Sequence, residues 1–548
     1  MSEADATPVY SYHHFLFPFR WDILEKGLGP KEKKEEKYSF EDRTNLEKAT
    51  AIFGEGNWIR KSVNKIETPG LYNELIYYHE FVRRAIYDFE DDYDSPIVRY
   101  FQYNLQNLEN REYNICYWRR KKHPVDDREP FSRVNYERNT ISLSVLGITL
   151  HIYNTGIGVL SFNLANKEIN QNDPNTVLLI NELGRRIYPQ FLGPEGTWDT
   201  KRVFLADSIS VGGVKENFSK YDDLSDFTFT QPLFLPSFIR NLFSEKIIFE
   251  NDKISLNALN VLYTPVLDDR MFFLSWYGNN TFSEVVGKNY TRNTWWYSFI
   301  FGDAAAGGSI ANSELMERKL KNHTYNRWSG YCSLYGMSRD SFVCLSPDAQ
   351  FFESKKLPRL DVHMNSIYYQ MAVLSLAQRA SVVKFSAEIA GLTDMARVRE
   401  NSKTLDRIKD LYMNYIEFIN KIYFREITSQ VQGIEIYSQF HEVMRIAEDV
   451  KDLDREIQEL HNYADMVKQY EIAKRSEKLN QIGLPLLIAS LLVGLLSINF
   501  IEEGNIDLWF FKIHLVFWQA LVIILFIPVL LYVIITFIPK RGKKNKIG

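Results

Sequence analysis

The amino-acid sequence predicts an α+β soluble N-terminal part of one or two domains, then a long helical stalk and two C-terminal transmembrane helices. Three observations support this fold class. Strand-like and helical stretches alternate up to about residue 350, a helical pattern rich in charge follows, and two long apolar runs lie near the C-terminal end. At roughly 100–200 residues per domain, 548 residues correspond to about three to five domain-sized units.

Composition excludes several classes of protein. The 65 Lys and Arg residues are outnumbered by 69 Asp and Glu, and the net charge of −4 argues against nucleic acid as a direct partner. Cys116, Cys332 and Cys344 form no CxxC pair, which argues against a disulfide scaffold or a cysteine-rich zinc site. The sequence carries no HExxH, GxSxG or Walker lysine motif, so we predict that the protein is not an enzyme. A membrane-anchored enzyme or interaction module stays the alternative.

In the N-terminal part, residues 10–21 are rich in aromatic residues that favour strands. Residues 141–153 and 157–164 predict two strands joined by the Asn154-Thr155-Gly156 turn. Asp173-Pro174 is typical of a helix start, and this helix is expected to run to about Arg186.

The stalk is predicted from two helical patterns, at residues 362–391 and 404–479. The second pattern has Gly433 as its one obvious weak point. A charged helix that continues into a transmembrane helix would connect the N-terminal part mechanically to the membrane.

Each apolar run is long enough to cross a bilayer as a helix. We therefore predict transmembrane helices at residues 481–500 and 513–539, an outer loop at 501–512 and a basic cytoplasmic tail at 540–548. The cytoplasmic sensor part is assigned to residues 1–355 and the stalk to 360–480. Lys and Arg flank both predicted helices on the side away from the acidic connector, and positive charge favours the cytoplasmic side. We therefore predict a multi-pass inner-membrane protein in contact with lipid, with both chain ends in the cytoplasm.

The stretch Ser497-Ile498-Asn499-Phe500, at the end of the first apolar run, resembles part of the Gly-Met-Asn signature of CorA-family divalent-cation channels. Asn499 and Phe500 match, and Ser497 and Ile498 replace the Gly and Met. The resemblance implies a homopentamer that conducts Mg²⁺ or another divalent cation. The residues then assigned to the pore are Asn499, Ser497, Ile498, Phe500, Leu495, Leu492 and Ile488, with Glu502, Glu503 and Asp507 as acids at its outer mouth.

Residues 11–19, 150–162 and 181–192 resemble the larger CorA-like membrane effectors associated with bacterial type III CRISPR systems. This resemblance implies an ion channel in antiviral defence, gated by a nucleotide second messenger that conjugates S-adenosylmethionine with AMP. A magnesium or divalent-cation transporter regulated by intracellular metal is the alternative.

Two segments offer groups for such a messenger. Arg185 and Arg186 provide guanidinium groups for phosphate, and Tyr188 provides a ring for stacking. Residues 301–309 form a loop of small residues before a helix that starts near Asn312, and such a loop lets a backbone approach a phosphate. The alternatives are surface arginines at a helix end and a plain flexible loop.

An acidic cluster is the candidate metal site. It consists of Asp88, Glu90, Asp91, Asp92 and Asp94. Carboxylates in this density suit a regulatory divalent cation, and a solvated acidic loop is the alternative. His13 and His14 are neighbours on a predicted strand and are expected to point to opposite faces.

Overall fold

The structure, a computed structural model, divides into two compact units, Met1–Leu460 and His461–Gly548. It describes residues 8–24, 44–90, 96–120, 136–188, 205–222, 235–249, 260–266, 270–304, 310–398, 402–498, 505–507 and 514–516.

Fourteen strands of the first unit form one mixed sheet. In chain order the strands are β1 (Ser11–Leu24), β2 (Trp58–Arg60), β3 (Val98–Tyr103), β4 (Glu112–Arg120), β5 (Tyr136–Tyr153), β6 (Ile157–Asn166), β7 (Ser208–Val211), β8 (Val214–Asn217), β9 (Ile247–Phe249), β10 (Asn260–Pro265), β11 (Phe272–Gly278), β12 (Thr324–Tyr325), β13 (Leu334–Ser338) and β14 (Ser341–Ser346). The main path is β12-β13-β14-β11-β1-β6-β5-β4-β7-β8; β10 and β9 branch from β1, and β3 and β2 branch from β5.

Strand β1 lies at the centre of this sheet. Along one edge it pairs with β6, and along the other it pairs first with β11 and then with β10, always antiparallel. Because side chains alternate along a strand, Phe15, Phe17, Phe19 and Trp21 share one face, and all four are buried. The predicted strand at residues 10–21 is confirmed.

The predicted hairpin and the helix that follows it are also confirmed. Strands β5 and β6 pair from Tyr153↔Ile157 onward, on either side of the predicted turn. The side chain of Asp173 accepts hydrogen bonds from the amides of Asn175 and Thr176, and Pro174 occupies the first turn, as the sequence indicated.

The helices of the first unit cover both faces of the sheet and continue beyond it. They are α1 (Leu46–Phe53), α2 (Pro69–Tyr77), α3 (Glu80–Ile86), α4 (Pro174–Gly184), α5 (Ser237–Arg240), α6 (Asn280–Lys288), α7 (Thr294–Phe301), α8 (Ser313–His323), α9 (Ala349–Ser354), α10 (Leu360–Asn365), α11 (Ile367–Val398), α12 (Ser402–Lys421), α13 (Val431–Met444) and α14 (Ile446–Ile498), which enters the second unit. Short 3₁₀ helices lie at Leu105–Asn107, Ile169–Gln171, Phe218–Asp222, Tyr290–Arg292 and Ser329–Tyr331.

Helix α11 is fixed to the sheet by polar contacts. The Tyr369 hydroxyl lies 2.9 Å from the Thr149 hydroxyl of β5, and the Ser381 hydroxyl lies 3.2 Å from that of Thr155 in the β5–β6 turn. Further along the same helix, Gln378 Nε2 donates to the carbonyl of Ile422 and to the Tyr437 hydroxyl. Because these groups are buried, losing a partner would cost about 1–3 kcal/mol each. Helix α11 therefore joins the sheet to the helices that follow it.

The second helical pattern of the stalk, residues 404–479, contains parts of three separate helices, α12, α13 and α14. The chain leaves the helical conformation between Lys421 and Val431, and again at Arg445, whose φ is 58°. The first break follows from tertiary contacts, because the amide of His79 donates to the Ile427 carbonyl and the Thr428 hydroxyl donates to the Tyr77 carbonyl. Gly433, the predicted weak point, lies inside α13.

The prediction of two transmembrane helices is wrong for the described residues, where no helix has the length and apolar character needed to cross a membrane. Residues 481–498 instead end a 53-residue helix, α14, that begins at Ile446 and is highly charged over its first turns. The second predicted span does not begin as a helix, because β16 (His514–Val516) pairs antiparallel with β15 (Asn505–Asp507). These spans were the basis for predicting membrane, transmembrane and ion-channel character and a multi-pass inner-membrane location. Those predictions are therefore contradicted as well.

The β5–β6 turn yields a stability prediction. Gly156 has a φ of +75°, and a Cβ added there would lie 2.8 Å from Thr44 Cγ2 and 3.1 Å from the Trp21 carbonyl, beside Lys384. Gly56 has a similar φ of +74° with no atom within 4 Å of such a Cβ. We expect Gly56→Ala to lower the free energy of unfolding by about 1 kcal/mol, and Gly156→Ala by about 1–2 kcal/mol more.

Urea denaturation of both variants and the wild type measures this difference. Because the two glycines share the same backbone strain, the difference between the variants isolates the close approach of the turn to Trp21 and Lys384. Equal losses for the two variants would contradict the tight packing of this turn.

Candidate functional site

The predicted ligand residue Arg185 lies directly after helix α4, where the chain turns back toward the sheet. Gly184 ends the helix close to β1 and β4, since a Cβ there would lie 2.8 Å from the Phe15 ring and 2.9 Å from Ile115. The carbonyl of Arg185 then accepts a hydrogen bond of 2.8 Å from the amide of Met271, just before β11. The backbone at Arg185 is therefore fixed from both sides.

The Arg185 side chain is fully buried, with 0% of its surface exposed. Its Nη2 donates a 3.1 Å hydrogen bond to the carbonyl of Gly302, and the guanidinium carbon lies 4.8 Å from the centre of the Phe273 ring. Within the part of the chain that the structure describes, Nε and Nη1 have no hydrogen-bond partner. A buried cation with unsatisfied donors is costly, which makes Arg185 unusual among buried side chains.

Two more arginines lie beside Arg185. Arg186 forms an isolated antiparallel β-bridge with Arg270, and its Nη2 donates to Glu182 Oε1 at 2.8 Å. We call Arg185, Arg186 and Arg270 the arginine cluster. Burial lowers the pKa of Arg185 to about 10; Glu182 opposes this shift, and the positive charges of Arg270 and Arg186 add to it. At neutral pH the guanidinium stays charged, so three cations lie close together in a largely dehydrated place.

The second predicted ligand feature meets the first. The carbonyl that Arg185 contacts belongs to Gly302, at the start of the small-residue loop, where helix α7 ends in the left-handed conformation with a φ of 61°. A Cβ on Gly302 would lie 2.8 Å from Arg185 Cζ, so only glycine fits between the two. Residues 305–309 of the loop lie outside the described residues. The helix predicted to start near Asn312 is confirmed as α8, with Asn312 as its N-cap.

Tyr188 and the aromatic run before the loop have packing roles. Tyr188 is half-buried and packs against the main hydrophobic core, and Trp296 and Tyr297 of α7 belong to that core. The ring that contacts Arg185 is instead Phe273, which the sequence did not single out.

The described part of the acidic cluster is already engaged. Asp88 is buried and accepts hydrogen bonds of 2.8 Å from both Arg60 and Arg99, and Glu90 accepts one from Asn64. Asp91, Asp92 and Asp94 lie outside the described residues. Among the residues described, no group of three His, Cys, Asp or Glu side chains is placed to hold a metal ion. Regulation by a divalent cation stays a prediction.

His13 and His14 point to opposite faces of β1, as expected. His13 Nδ1 lies 2.7 Å from Asn181 Oδ1 of α4, whereas His14 contacts Asn163 at 2.8 Å and Asn365 at 2.6 Å on the other face. Both histidines are therefore structural polar groups of the sheet.

The predicted pore residues fall at the end of the described chain. Ile488 is exposed on α14, and Leu492, Leu495, Ser497 and Ile498 lie in its last turns, where only the backbone is described. Asp507 ends β15. Asn499, Phe500, Glu502 and Glu503 lie outside the described residues.

Sequence reasoning missed Arg270, Phe273 and Asp340. Asp340 Oδ2 lies 3.9 Å from Arg270 Nη2, and the Asp340 charge partly offsets the lowered pKa of Arg185. The only local signal was the pair of apolar runs around Arg339-Asp340, which predicts a hairpin but not what its turn contacts.

The arrangement is chemically suited to an anion. Guanidinium groups bind phosphate and carboxylate oxygens through charge-assisted hydrogen bonds, which are stronger in a dehydrated site than in water.

No protein-family model matches the chain, and no curated protein matches its sequence.

Proposed function

We propose that the chain is a nucleotide-responsive sensor whose first unit binds a phosphate-bearing adenine nucleotide at the arginine cluster. The class of ligand is that of the S-adenosylmethionine–AMP conjugate expected from the sequence resemblance. The proposal concerns binding and not turnover. The observation that carries it is Arg185, a fully buried guanidinium whose Nε and Nη1 have no partner among the described residues.

An anion supports the cluster in two ways. A phosphate oxygen would accept the N–H groups of Nε and Nη1, and its charge would offset the mutual repulsion of Arg185, Arg186 and Arg270. A hydrogen bond to a charged group contributes about 1.5–3 kcal/mol. Two such bonds are enough to select a phosphate-bearing ligand from related neutral nucleosides.

The burial of Arg185 links binding to a change of shape. A ligand that reaches Nε and Nη1 has to displace groups that cover them, and the Gly302 carbonyl at the end of α7 is in direct contact with the same guanidinium. The ligand then has a higher affinity for the rearranged conformation than for the conformation of the ligand-free protein. This difference in affinity is what a sensor requires.

Isothermal titration of the purified full chain with AMP, ATP and the S-adenosylmethionine–AMP conjugate tests the proposal, with adenosine and MgCl₂ as parallel titrants. We expect at least one phosphate-bearing nucleotide to bind in the micromolar range or tighter, at about −8 kcal/mol, and adenosine to bind far more weakly. Binding should weaken as salt rises. If none of the three nucleotides produces heat or raises the melting temperature, the sensor function is wrong. Light scattering of the same samples measures the predicted homo-oligomer.

A further inference from the structure

The turn between β13 and β14 lies between the arginine cluster and helix α11. The two strands pair up to Ser338↔Ser341, so Arg339 and Asp340 form the tip of a tight hairpin. The carbonyl of Asp340 accepts a 3.2 Å hydrogen bond from the amide of Phe273, which holds the tip against β11. The carbonyl of Arg339 accepts a 2.6 Å hydrogen bond from Arg379 Nη1 of α11.

The Asp340 carboxylate faces arginines on both sides. Its Oδ2 lies 3.9 Å from Arg270 Nη2, and its Oδ1 lies 3.5 Å from Arg379 Nη1. Both distances exceed that of a close charge-assisted hydrogen bond, about 2.8 Å. One carboxylate is thus shared between a residue of the arginine cluster and a residue of α11, in full contact with neither.

We propose that Asp340 transmits anion binding at the arginine cluster to helix α11. This inference rests on the proposed nucleotide site and assigns its regulation. An anion beside Arg270 takes over the interaction of that guanidinium and repels the Asp340 carboxylate. Asp340 then closes on Arg379, and the hairpin tip and α11 move together, because Arg379 is also bonded to the Arg339 carbonyl.

The physical conditions for this transfer are present. Asp340 is only 31% exposed and Arg379 9%, so solvent screens their interaction weakly. The hairpin tip has only two residues beyond the paired strands, so it moves as one piece. Helix α11 in turn contacts the C-terminal end of α12 and α13 through Gln378, which donates to the carbonyl of Ile422, directly after α12, and to the Tyr437 hydroxyl of α13. A shift of α11 therefore reaches the helices that follow the sheet.

The test measures nucleotide affinity and hydrogen exchange of α11 in the same variants. The probe is whichever of AMP, ATP and the S-adenosylmethionine–AMP conjugate binds the wild type most tightly, and the exchange is followed in peptides from residues 367–392. In the wild type we expect saturating nucleotide to change this exchange by about fivefold. Asp340→Asn removes the competing charge, so the affinity should rise by about tenfold while the exchange of α11 no longer responds.

Arg379→Gln is the second variant and acts on the other side of the carboxylate. It removes the guanidinium on which Asp340 closes in the bound state, so nucleotide affinity should fall by about fivefold and the hydrogen exchange of α11 should no longer respond to nucleotide. Asp207→Asn is the matched control, since Asp207 is 27% exposed and pairs with Arg138 at 2.8 Å elsewhere on the sheet. The control should bind and respond like the wild type. Circular dichroism melts establish that each variant is folded, and if one variant is not, the other still decides.

The outcomes separate the two proposals. A wild type that binds no nucleotide overturns the sensor function and this inference with it. A wild type that binds, together with an Asp340→Asn variant of unchanged affinity and intact α11 response, overturns the role of Asp340 alone. Tighter nucleotide binding by Asp340→Asn, together with hydrogen exchange of α11 that no longer responds to nucleotide, supports both proposals.

Discussion

Arg185→Met is expected to lower nucleotide affinity by at least about a hundredfold without lowering the free energy of unfolding. The loss of affinity follows from two charge-assisted hydrogen bonds at about 1.5–3 kcal/mol each. The stability expectation follows from burial, because methionine removes a dehydrated charge that has a single hydrogen bond, to Gly302, among the described residues. Replacing an incompletely paired buried ion by an apolar side chain is often neutral or stabilising.

Titration with the nucleotides and urea denaturation measure the two effects on the same preparation. Arg240→Met is the matched control, since the Arg240 guanidinium also lies 4.8 Å from a phenylalanine ring, that of Phe249. This control should bind nucleotide normally. If Arg185→Met instead loses more than about 2 kcal/mol of stability, Arg185 is required to hold the end of α7, and the argument from its unsatisfied donors fails.

Acid is expected to destabilise the first unit through its buried histidines. Burial lowers the pKa of His13 to about 3 and that of His151 to about 3. In the unfolded chain both pKa values return to about 6.5, so below that pH the unfolded state binds protons that the folded state does not. The free energy of unfolding therefore falls as pH drops from about 6.5 toward 3, and by pH 5 each histidine contributes a loss of about 2 kcal/mol.

His151→Phe should remove its share of this acid sensitivity. His151 is 1% exposed, packs beside Tyr100 and Tyr369, and has no hydrogen-bond partner on either ring nitrogen among the described residues. The facing charge is Asp88, which opposes the lowered pKa. We expect the variant to be as stable as the wild type at pH 7.5 within about 1 kcal/mol, and the loss between pH 7.5 and pH 5 to shrink by about 2 kcal/mol.

His13→Phe is the contrasting variant. His13 lies within hydrogen-bond distance of Asn181 and Ser11, so phenylalanine leaves buried polar groups without a partner. It should cost about 1–3 kcal/mol already at pH 7.5. Urea denaturation at a series of pH values measures both variants. If the free energy of unfolding of His151→Phe has the same pH dependence as that of the wild type, His151 does not contribute to the acid sensitivity.

Local features of the fold could be predicted from the sequence, and long-range ones could not. The β5–β6 hairpin and helix α4 were predicted because a turn, an N-cap and a proline lie next to the segments they organise. The break between α12 and α13 was missed because residues 422–430 contain no Gly or Pro; contacts with His79 and Tyr77, far away in sequence, decide it. Hydropathy likewise did not report that His514–Val516, at the start of the second predicted transmembrane span, pairs as a strand.

The same division holds for the candidate site. Arg185 and the Gly302 loop were identified from residue type, and the structure brings them into contact. Sequence reasoning did not identify Arg270, Asp340 and Arg379. Each is an ordinary charged residue until the fold places the start of β11, the β13–β14 turn and α11 side by side.

The position of β1 has a consequence for synthesis on the ribosome. This strand can pair with β6 once residue 166 has emerged, but its other edge has to wait for β10 and β11, about 110 residues later. At roughly 5–20 residues per second, that interval lasts about 5–20 s. During this time Phe15, Phe17, Phe19 and Trp21 belong to a strand with one open edge. We therefore expect the nascent chain to need chaperones until β10 and β11 emerge, and a translational pause before β10 to prolong its exposure to aggregation.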